Sequence, residues 1–286
     1  MNLETLNTHP TRQVVAYLGP AGSYSHAAAL KGFGAEVELL PVADIPAVFA
    51  AVERGHAAFG VVPVENSSEG AIALTLDLLF TTPLTIQAEW LLPIHHCLLA
   101  QPGTREGDIR LIRAHPQALG QCRVWLQGHY PAVEKVAASS NSEAARLAAT
   151  EAGVAAIAGR TAAALYDLEV VASSIEDAHD NTTRFLSLAH GAHPPLSGCD
   201  KTSLFFLVRN EPGALLRALE PFHRHGINLC KLESRPSRKA AWSYSFYVDV
   251  DGHRDDARMS AALEELGRVS MEVKLLGSYP AARQPV

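Results

Sequence analysis

The sequence predicts an α/β protein of two domains, with a mixed α/β unit over residues 13–191 and a smaller βαββαβ unit over residues 201–281. Three observations predict it. Up to about residue 190, short apolar runs alternate with stretches of helical spacing, the order that builds an α/β sheet. Residues 191–200 carry two prolines and two glycines and interrupt that rhythm as a linker does. Beyond them the apolar residues fall at every second position, the period of a strand with one buried face.

In the first domain, Val14–Leu18 is a short apolar run ending at Gly19-Pro20-Ala21-Gly22. Asp44 is placed to cap a helix whose Ile45, Val48, Phe49 and Val52 follow the i, i+3, i+4, i+7 spacing, and Gly55 closes it at C′. Residues 59–64 read as a buried strand, followed by the polar turn 65–70 and a helix over 71–80. The pair His95-His96 falls in a predicted strand, where one of the two must face out; both are read as structural. Pro116 opens a helix with residues 117–127 behind it, and Ser140 with Glu143 forms a capping-box pattern before 144–149.

In the second domain, residues 204–208 predict a strand, a helix starts at Ala214 and a second strand covers 227–234. Trp242, Tyr244, Phe246, Val248 and Val250 then alternate with Ser243, Ser245, Tyr247 and Asp249. A helical stripe of Met259, Ala262, Leu263 and Leu266 is closed by Gly267, and Met271, Val273 and Leu275 mark a last strand. The order is that of a ferredoxin-like unit.

Composition narrows the function classes. With 48% apolar and 19% charged residues, the chain suits filled cores rather than disorder. A net charge of −6 argues against a nucleic-acid surface, which needs a clustered basic face. No apolar run reaches the ~18 residues of a membrane helix. The polar start, residues 1–12, resembles neither a signal nor a transit segment. Cys97, Cys122, Cys199 and Cys230 show no metal-type spacing and are expected to be reduced, mostly buried thiols in the cytoplasm. Two N-x-S/T sequons, at Asn66 and Asn181, then need a reason other than glycosylation.

Four polar clusters stand out in the first domain. Residues 19–25, at a strand end and helix start, can cradle a carboxylate with backbone N–H groups and hydroxyls, or simply turn the chain and cap the helix. Residues 65–70 directly follow a buried strand, where open α/β sheets collect ligands, though a solvated capping loop reads the same way. Residues 180–185 set Arg184 among small polar groups at a strand start, an anion anchor or a turn. Residues 114–122 contain His115, a candidate acid or base that also fits a helix cap. The sequence has no G-x-G-x-x-G, Walker, H-E-x-x-H or G-x-S-x-G pattern.

Taken together and in order, "YLGPAGSYSHAAA", "VVPVENSSEGAIALTLDLL", "AHPQALGQC" and "NTTRF" resemble the signatures of the prephenate dehydratase family. "EPGALL", "INLCKLESRP" and "LGSYP" resemble the ACT domain that such enzymes carry, so the likeness covers residues 14–281. It implies a two-lobed, periplasmic-binding-protein-like catalytic domain with substrate in the cleft, no metal and no organic cofactor. It further implies loss of carbon dioxide and the ring hydroxyl from prephenate, with Thr183 as donor to the leaving oxygen and Arg184 as anchor of one substrate carboxylate. Asn66, Ser67 and Gln121 are implied as neutral donors, with Ser23, Phe185 and a structural or electrostatic Glu65 at the substrate.

In the second domain, Gly213, Ala214, Leu215, Asn228, Glu233, Ser234, Arg235 and Pro236 are implied to bind phenylalanine where two such domains pair, in a homodimer or homotetramer. Family members commonly carry Thr where this chain has Ser23, and many carry Ser where it has Ala114. With about a dozen residues before the first motif, a monofunctional enzyme is expected. Arogenate as substrate, and a binding protein without turnover, are the competing expectations.

Overall fold

The computed structural model describes residues 13–236 and 244–282; residues 1–12 and the Trp242 and Ser243 of the predicted strand lie outside the described residues. The first lobe runs β1 (Val14–Leu18), α1 (Tyr24–Phe33), β2 (Glu38–Val42), α2 (Ile45–Glu53), β3 (Phe59–Asn66), β4 (Gly70–Ala71), α3 (Ala73–Thr81) and β5 (Thr85–Pro93). Asp44 caps α2 as its position predicts, its carboxylate accepting from the Ala47 N–H at 2.8 Å, and Gly55 follows the helix at φ +73°.

The chain crosses through residues 94–96 into a second lobe. This lobe holds β6 (Cys97–Ala100), β7 (Leu111–Ala114), α4 (Pro116–Gln121), α5 (Arg123–His129), β8 (Glu134–Ala137), α6 (Asn141–Thr150), β9 (Val154–Ala158), α7 (Arg160–Leu165) and β10 (Glu169–Ser173). The predicted single helix behind Pro116 is two, because Asp177 accepts from the Val124 and Trp125 N–H groups at 2.9 and 3.0 Å and so gives α5 its own N-terminus. His95 and His96 lie in the crossing segment rather than in a strand.

A second crossing, residues 174–181, returns the chain to β11 (Thr182–Ala189), which inserts between β3 and β5. The first sheet therefore has the order β2-β1-β3-β11-β5 and the second β10-β6-β9-β7-β8. Two sheets joined by two crossings are the periplasmic-binding-protein arrangement expected, with a cleft where the lobes meet.

The second domain is β12 (Asp200–Leu207), α8 (Ala214–Arg224), β13 (Leu229–Pro236), β14 (Tyr244–Asp251), α9 (Ala257–Val269) and β15 (Glu272–Pro280), the expected βαββαβ order, in a sheet β13-β14-β12-β15. Helix α9 runs past Gly267 to Val269, so that glycine does not end it. One face of the sheet packs Leu204, Phe206, Val248 and Val250 against Phe222 of α8 and Met259 and Leu266 of α9.

The opposite face is buried as well, against expectation. Phe205, Tyr247, Leu276 and Tyr279 join one apolar cluster with Val62, Leu76, Ile86, Leu186 and Leu188 of the first lobe. Strand alternation put Ser245, Tyr247 and Asp249 on a polar face; they are covered because that face lies on the outer surface of the catalytic sheet. Contact is close enough that a Cβ on Gly277 would sit 2.5 Å from the Ile86 carbonyl oxygen.

A charge cluster runs through this interface. Arg184 donates through Nε to Glu89 at 2.6 Å, through Nη1 to Asp249, and through Nη2 to the Tyr279 hydroxyl at 3.0 Å. Lys201 meets Glu89 at 2.7 Å and Lys231 meets Glu65 at 2.5 Å. Three cations thus face three carboxylates, which offsets the desolvation that an unpaired buried charge would suffer.

Burial by itself raises the Asp249 carboxyl, but Arg184, Ser203 and Tyr247 hold it below the usual aspartate range. Stability from a depressed carboxyl is present above the ordinary pKa of ~3.9 and lost as pH falls through the folded value. Asp249→Asn should therefore lower stability at pH 7 by about 3–5 kcal/mol, by leaving Arg184 short of a charge partner. The difference from wild type should shrink in acid, below the ordinary aspartate range. Denaturant titrations at pH 7 and in acid check this, and equal midpoints at pH 7 would refute it. Gly277→Ala should also lower the midpoint, because the new methyl group meets backbone.

Candidate active site

A cavity of about 400 Å³ lies where the lobes meet. Tyr24, Asn66, Glu69, Ile72, Thr183 and Phe185 line it from the first lobe, Ile94 and Asn181 from the crossings, and His115, Gln117, Ala118, Gln121 and Asn141 from the second lobe. Across the lobes, Gln117 Nε2 donates to Glu69 Oε1 at 3.2 Å.

Asn66 organises one wall. Its Oδ1 accepts from the Ser68 and Glu69 N–H groups at 3.0 and 3.1 Å, an Asx turn that fixes which end of the amide points where. Nδ2 is left to donate to Asn181 Oδ1 at 2.7 Å and Thr183 Oγ1 at 2.9 Å. The Thr183 oxygen therefore accepts from Asn66, and its own O–H is available to donate into the cavity. Both sequon asparagines have their explanation here: they bond to each other beside Thr183.

The opposite wall is ordered by a chain of contacts. The Tyr24 hydroxyl lies 2.8 Å from His96 Nδ1 and 2.9 Å from the His95 carbonyl oxygen, and His96 Nε2 lies 2.8 Å from Gln121 Oε1. With Nε2–H donating to Gln121, the Gln121 amide hydrogens are turned away from His96 and are available to the cavity. Burial pushes the Tyr24 hydroxyl well above its ordinary pKa, which keeps it neutral. Burial also lowers the His96 pKa, with Gln121 and Glu176 opposing. Burial alone would raise Glu176 too, but bonds from His95 and the His96 and His179 groups hold it below the usual carboxylate range. His115 caps α4, Nδ1 accepting from the Gln117 N–H at 3.3 Å, while its ring lines the cavity.

The predicted residues divide. Asn66, Gln121, Thr183 and Phe185 line the cavity. Ser67 instead bonds the start of β11, accepting from the Thr182 N–H at 2.9 Å and donating to the Asp180 carbonyl at 3.2 Å. Ser23 caps α1, accepting from the His26 N–H at 3.2 Å. Arg184 and Glu65 require correction. Residues 183 and 184 point to opposite faces of β11, as 65 and 66 do on β3, so Arg184 and Glu65 belong to the domain interface and not to the cleft. Tyr24, His96, Asn141 and Asn181 were missed. Tyr24, Asn181 and His96 sat within or beside residues singled out in the sequence, but nothing in a single chain says which way they face.

In the second domain, Gly213 adopts φ +78° ahead of α8, with Ala214 and Leu215 opening the helix. Strands β12 and β13 run parallel on either side of β14, so this turn lies at the same sheet end as Arg235 and Pro236. Asn228, bonded to Asp251 at 2.9 Å, is at the other end. Glu233 and Ser234 lie along β13, and Arg235 is paired with Asp77 of α3 at 2.9 Å. Cys97 and Cys122 are buried but Cys199 and Cys230 are exposed, so only half of the thiols are internal.

Two lobes around an amide-rich cleft, with a ferredoxin-like module docked on one of them, define a two-domain protein built to take a small molecule between its lobes. The chain belongs to the prephenate dehydratase family: the family model matches residues 15–193, and the ACT domain model matches 202–268. A bifunctional chorismate mutase/prephenate dehydratase of Pseudomonas aeruginosa is 48% identical over 94% of this chain and 73% of its own length. A prephenate dehydratase of Mycobacterium marinum is 39% identical over 94% of this chain and 89% of its own. Among solved structures, an Arthrobacter aurescens prephenate dehydratase in complex with L-Phe superposes at TM-score 0.86 and 36% identity, over 96% of this chain and 92% of that one. GqqA, described as a novel type of quorum quenching acylase, superposes at 0.86 and 32%, over 94% and 98%.

His96 should stay neutral below the ordinary imidazole pKa of ~6.5. A ring-proton titration by NMR, assigned with His96→Gln, should find its midpoint displaced to lower pH, and a midpoint at or above 6.5 would contradict the buried neutral ring.

Proposed function

We propose that this chain converts prephenate to phenylpyruvate, carbon dioxide and water, as a carbon–oxygen lyase that phenylalanine restrains through the second domain. The observation that carries the reading is the Asn66–Thr183 hydrogen bond, which presents the threonine O–H to the cleft. In the reaction the bond to the ring carboxylate breaks and its electron pair enters the ring. The bond to the ring hydroxyl breaks with its pair on oxygen, and a proton drawn from solvent completes water. A donor placed on that oxygen in the transition state contributes roughly 10²–10⁴-fold. Threonine is a weak acid, so its role is a strong hydrogen bond or a relay rather than early full transfer.

The cavity lining contains no lysine or arginine among the described residues. That suits this chemistry. The ring carboxylate must lose its charge as carbon dioxide departs, and a cation gripping it in the ground state would slow the step. Gln121 and Asn181, each with its amide oxygen already engaged, offer N–H donors to the substrate instead. An acylase mechanism, the activity named for GqqA, calls for a nucleophile activated by a base; the Thr183 oxygen meets an amide.

The effector site is proposed to form between two copies. Asn228 and the Gly213–Arg235 end lie at opposite ends of one sheet, and β13 is an edge strand with Leu232 exposed. A twofold pairing of β13 edges would bring opposite ends together, giving a homodimer, or a homotetramer built from it. Four free cysteines fit a reducing cytoplasm.

Phenylpyruvate release from prephenate by the purified protein, with and without phenylalanine, tests the reading. Turnover suppressed by phenylalanine is expected. Turnover on arogenate alone would move the substrate, and binding without turnover would make this a sensor. Thr183→Val should lower kcat by about 10²-fold or more. Asn66→Asp keeps the Asx turn but accepts the threonine proton, so it should cost a comparable factor while the fold persists. Wild-type rates in both variants would remove Thr183 from the mechanism.

A further inference from the structure

We infer that Arg184 is a positioning residue of the active site, held in place by the second domain: its guanidinium, locked on the far face of β11, sets the orientation of Thr183 on the cleft face. This rests on the reading of Thr183 as the leaving-group donor.

Thr183 and Asn66 are register partners, and so are the next pair along, Arg184 and Glu65. The first pair faces the cavity and the second faces the domain interface. The register of β11 against β3 then shifts between Arg184 and Phe185. At such a bulge the ladder is disrupted on the β3 side, and the backbone hold on the strand there comes from β5, whose register with β11 is regular from Thr182 to Ser187. The Arg184 side chain adds a second restraint where the β3 ladder is broken, because each of its three nitrogens is engaged, by Glu89, Asp249 and Tyr279. Two of these partners, Asp249 and Tyr279, belong to the second domain and are completely buried. Asp249 is itself fixed by the Tyr247 hydroxyl at 2.7 Å and by Ser203. Contacts from outside the catalytic domain therefore help to set the orientation of the catalytic hydroxyl, one residue away through the strand.

The docking of the second domain is consequently part of active-site assembly. Any shift of β14 or β15 relative to the first lobe moves the anchors of Arg184 and reaches Thr183 without passing through the cleft.

The test uses the full chain and two mild variants. Tyr279→Phe removes only the hydroxyl that accepts from Nη2; Arg184→Lys keeps the charge and loses the fork. Both are first shown to be folded at the assay temperature by gel filtration and thermal unfolding. On prephenate, kcat should fall about tenfold or more with KM within about twofold, since a small misplacement of a reacting group carries that scale of loss. The double variant should be little worse than Arg184→Lys alone, because both act on one contact. Hydrogen exchange of the 181–186 backbone, measured without substrate, should quicken in both.

Lower unfolding midpoints with wild-type kcat and unchanged exchange would overturn the inference and leave Arg184 a stability residue. A raised KM with kcat preserved would overturn it in favour of a substrate carboxylate anchor. If the wild-type protein does not turn over prephenate, the functional reading falls, while the exchange measurement still decides whether the second domain holds β11.

Discussion

Strand β11 has no solvent face. Its odd residues at the start, Thr183 and Phe185, wall the cleft, and Arg184 between them is sunk in the interface with the second domain. An arginine in that position has nowhere to hydrate, so it must be matched by carboxylates or displaced. Glu89 of the same lobe and Asp249 of the second domain match it, and the Asp249 half of the match exists only when the second sheet is docked. Replacing such a cluster with apolar residues often costs a protein nothing in stability. Its value here lies in direction: a guanidinium bonded at three nitrogens has one orientation, whereas an apolar contact would admit several.

The remainder of the architecture follows from that docking. The ferredoxin-like sheet buries both faces, one under its own helices and one on the catalytic lobe, with Gly277 permitting the close approach of β15 to β5. Lys274 of β15 also caps the end of α3, donating to the Leu79, Phe80 and Thr82 carbonyls at 2.9, 3.0 and 2.6 Å. Helix α3 follows the turn that carries Asn66. Two separate polar anchors of the ACT module thus end on β11 and α3, elements that each also contribute to or flank the cleft wall.

The cleft itself is chemically restrained. Its polar groups are amides, hydroxyls, an imidazole and the Glu69 carboxylate, which Gln117 meets from the other lobe. The second lobe meets the first through the two crossings, through contacts across the cleft and where Ser142 and Tyr166 donate to the Ala21 carbonyl, and Ser174 adopts φ +54° where one crossing begins. Non-glycine residues are uncommon in that region and are held there by their surroundings. Glu69 and Gln117 meet across the lobes and would part if the lobes opened.

The element order of the second domain, the α2 helix and β3 strand, the helix caps at Asp44 and Ser140 and the polar clusters that form the site were legible in the chain, because each of these depends on neighbours within a few residues. Helix splitting at Cys122 was not legible, since it depends on Asp177, more than fifty residues away. Tertiary structure alone decided which face each cluster residue takes. Strand alternation says that Thr183 and Arg184 point in opposite directions, but both sides of β11 are occupied, so alternation cannot tell cleft from interface. The polar face of β14 misled for the same reason: Ser245, Tyr247 and Asp249 carry the pattern of a solvated face, and it took a second sheet, contributed by distant sequence, to cover them.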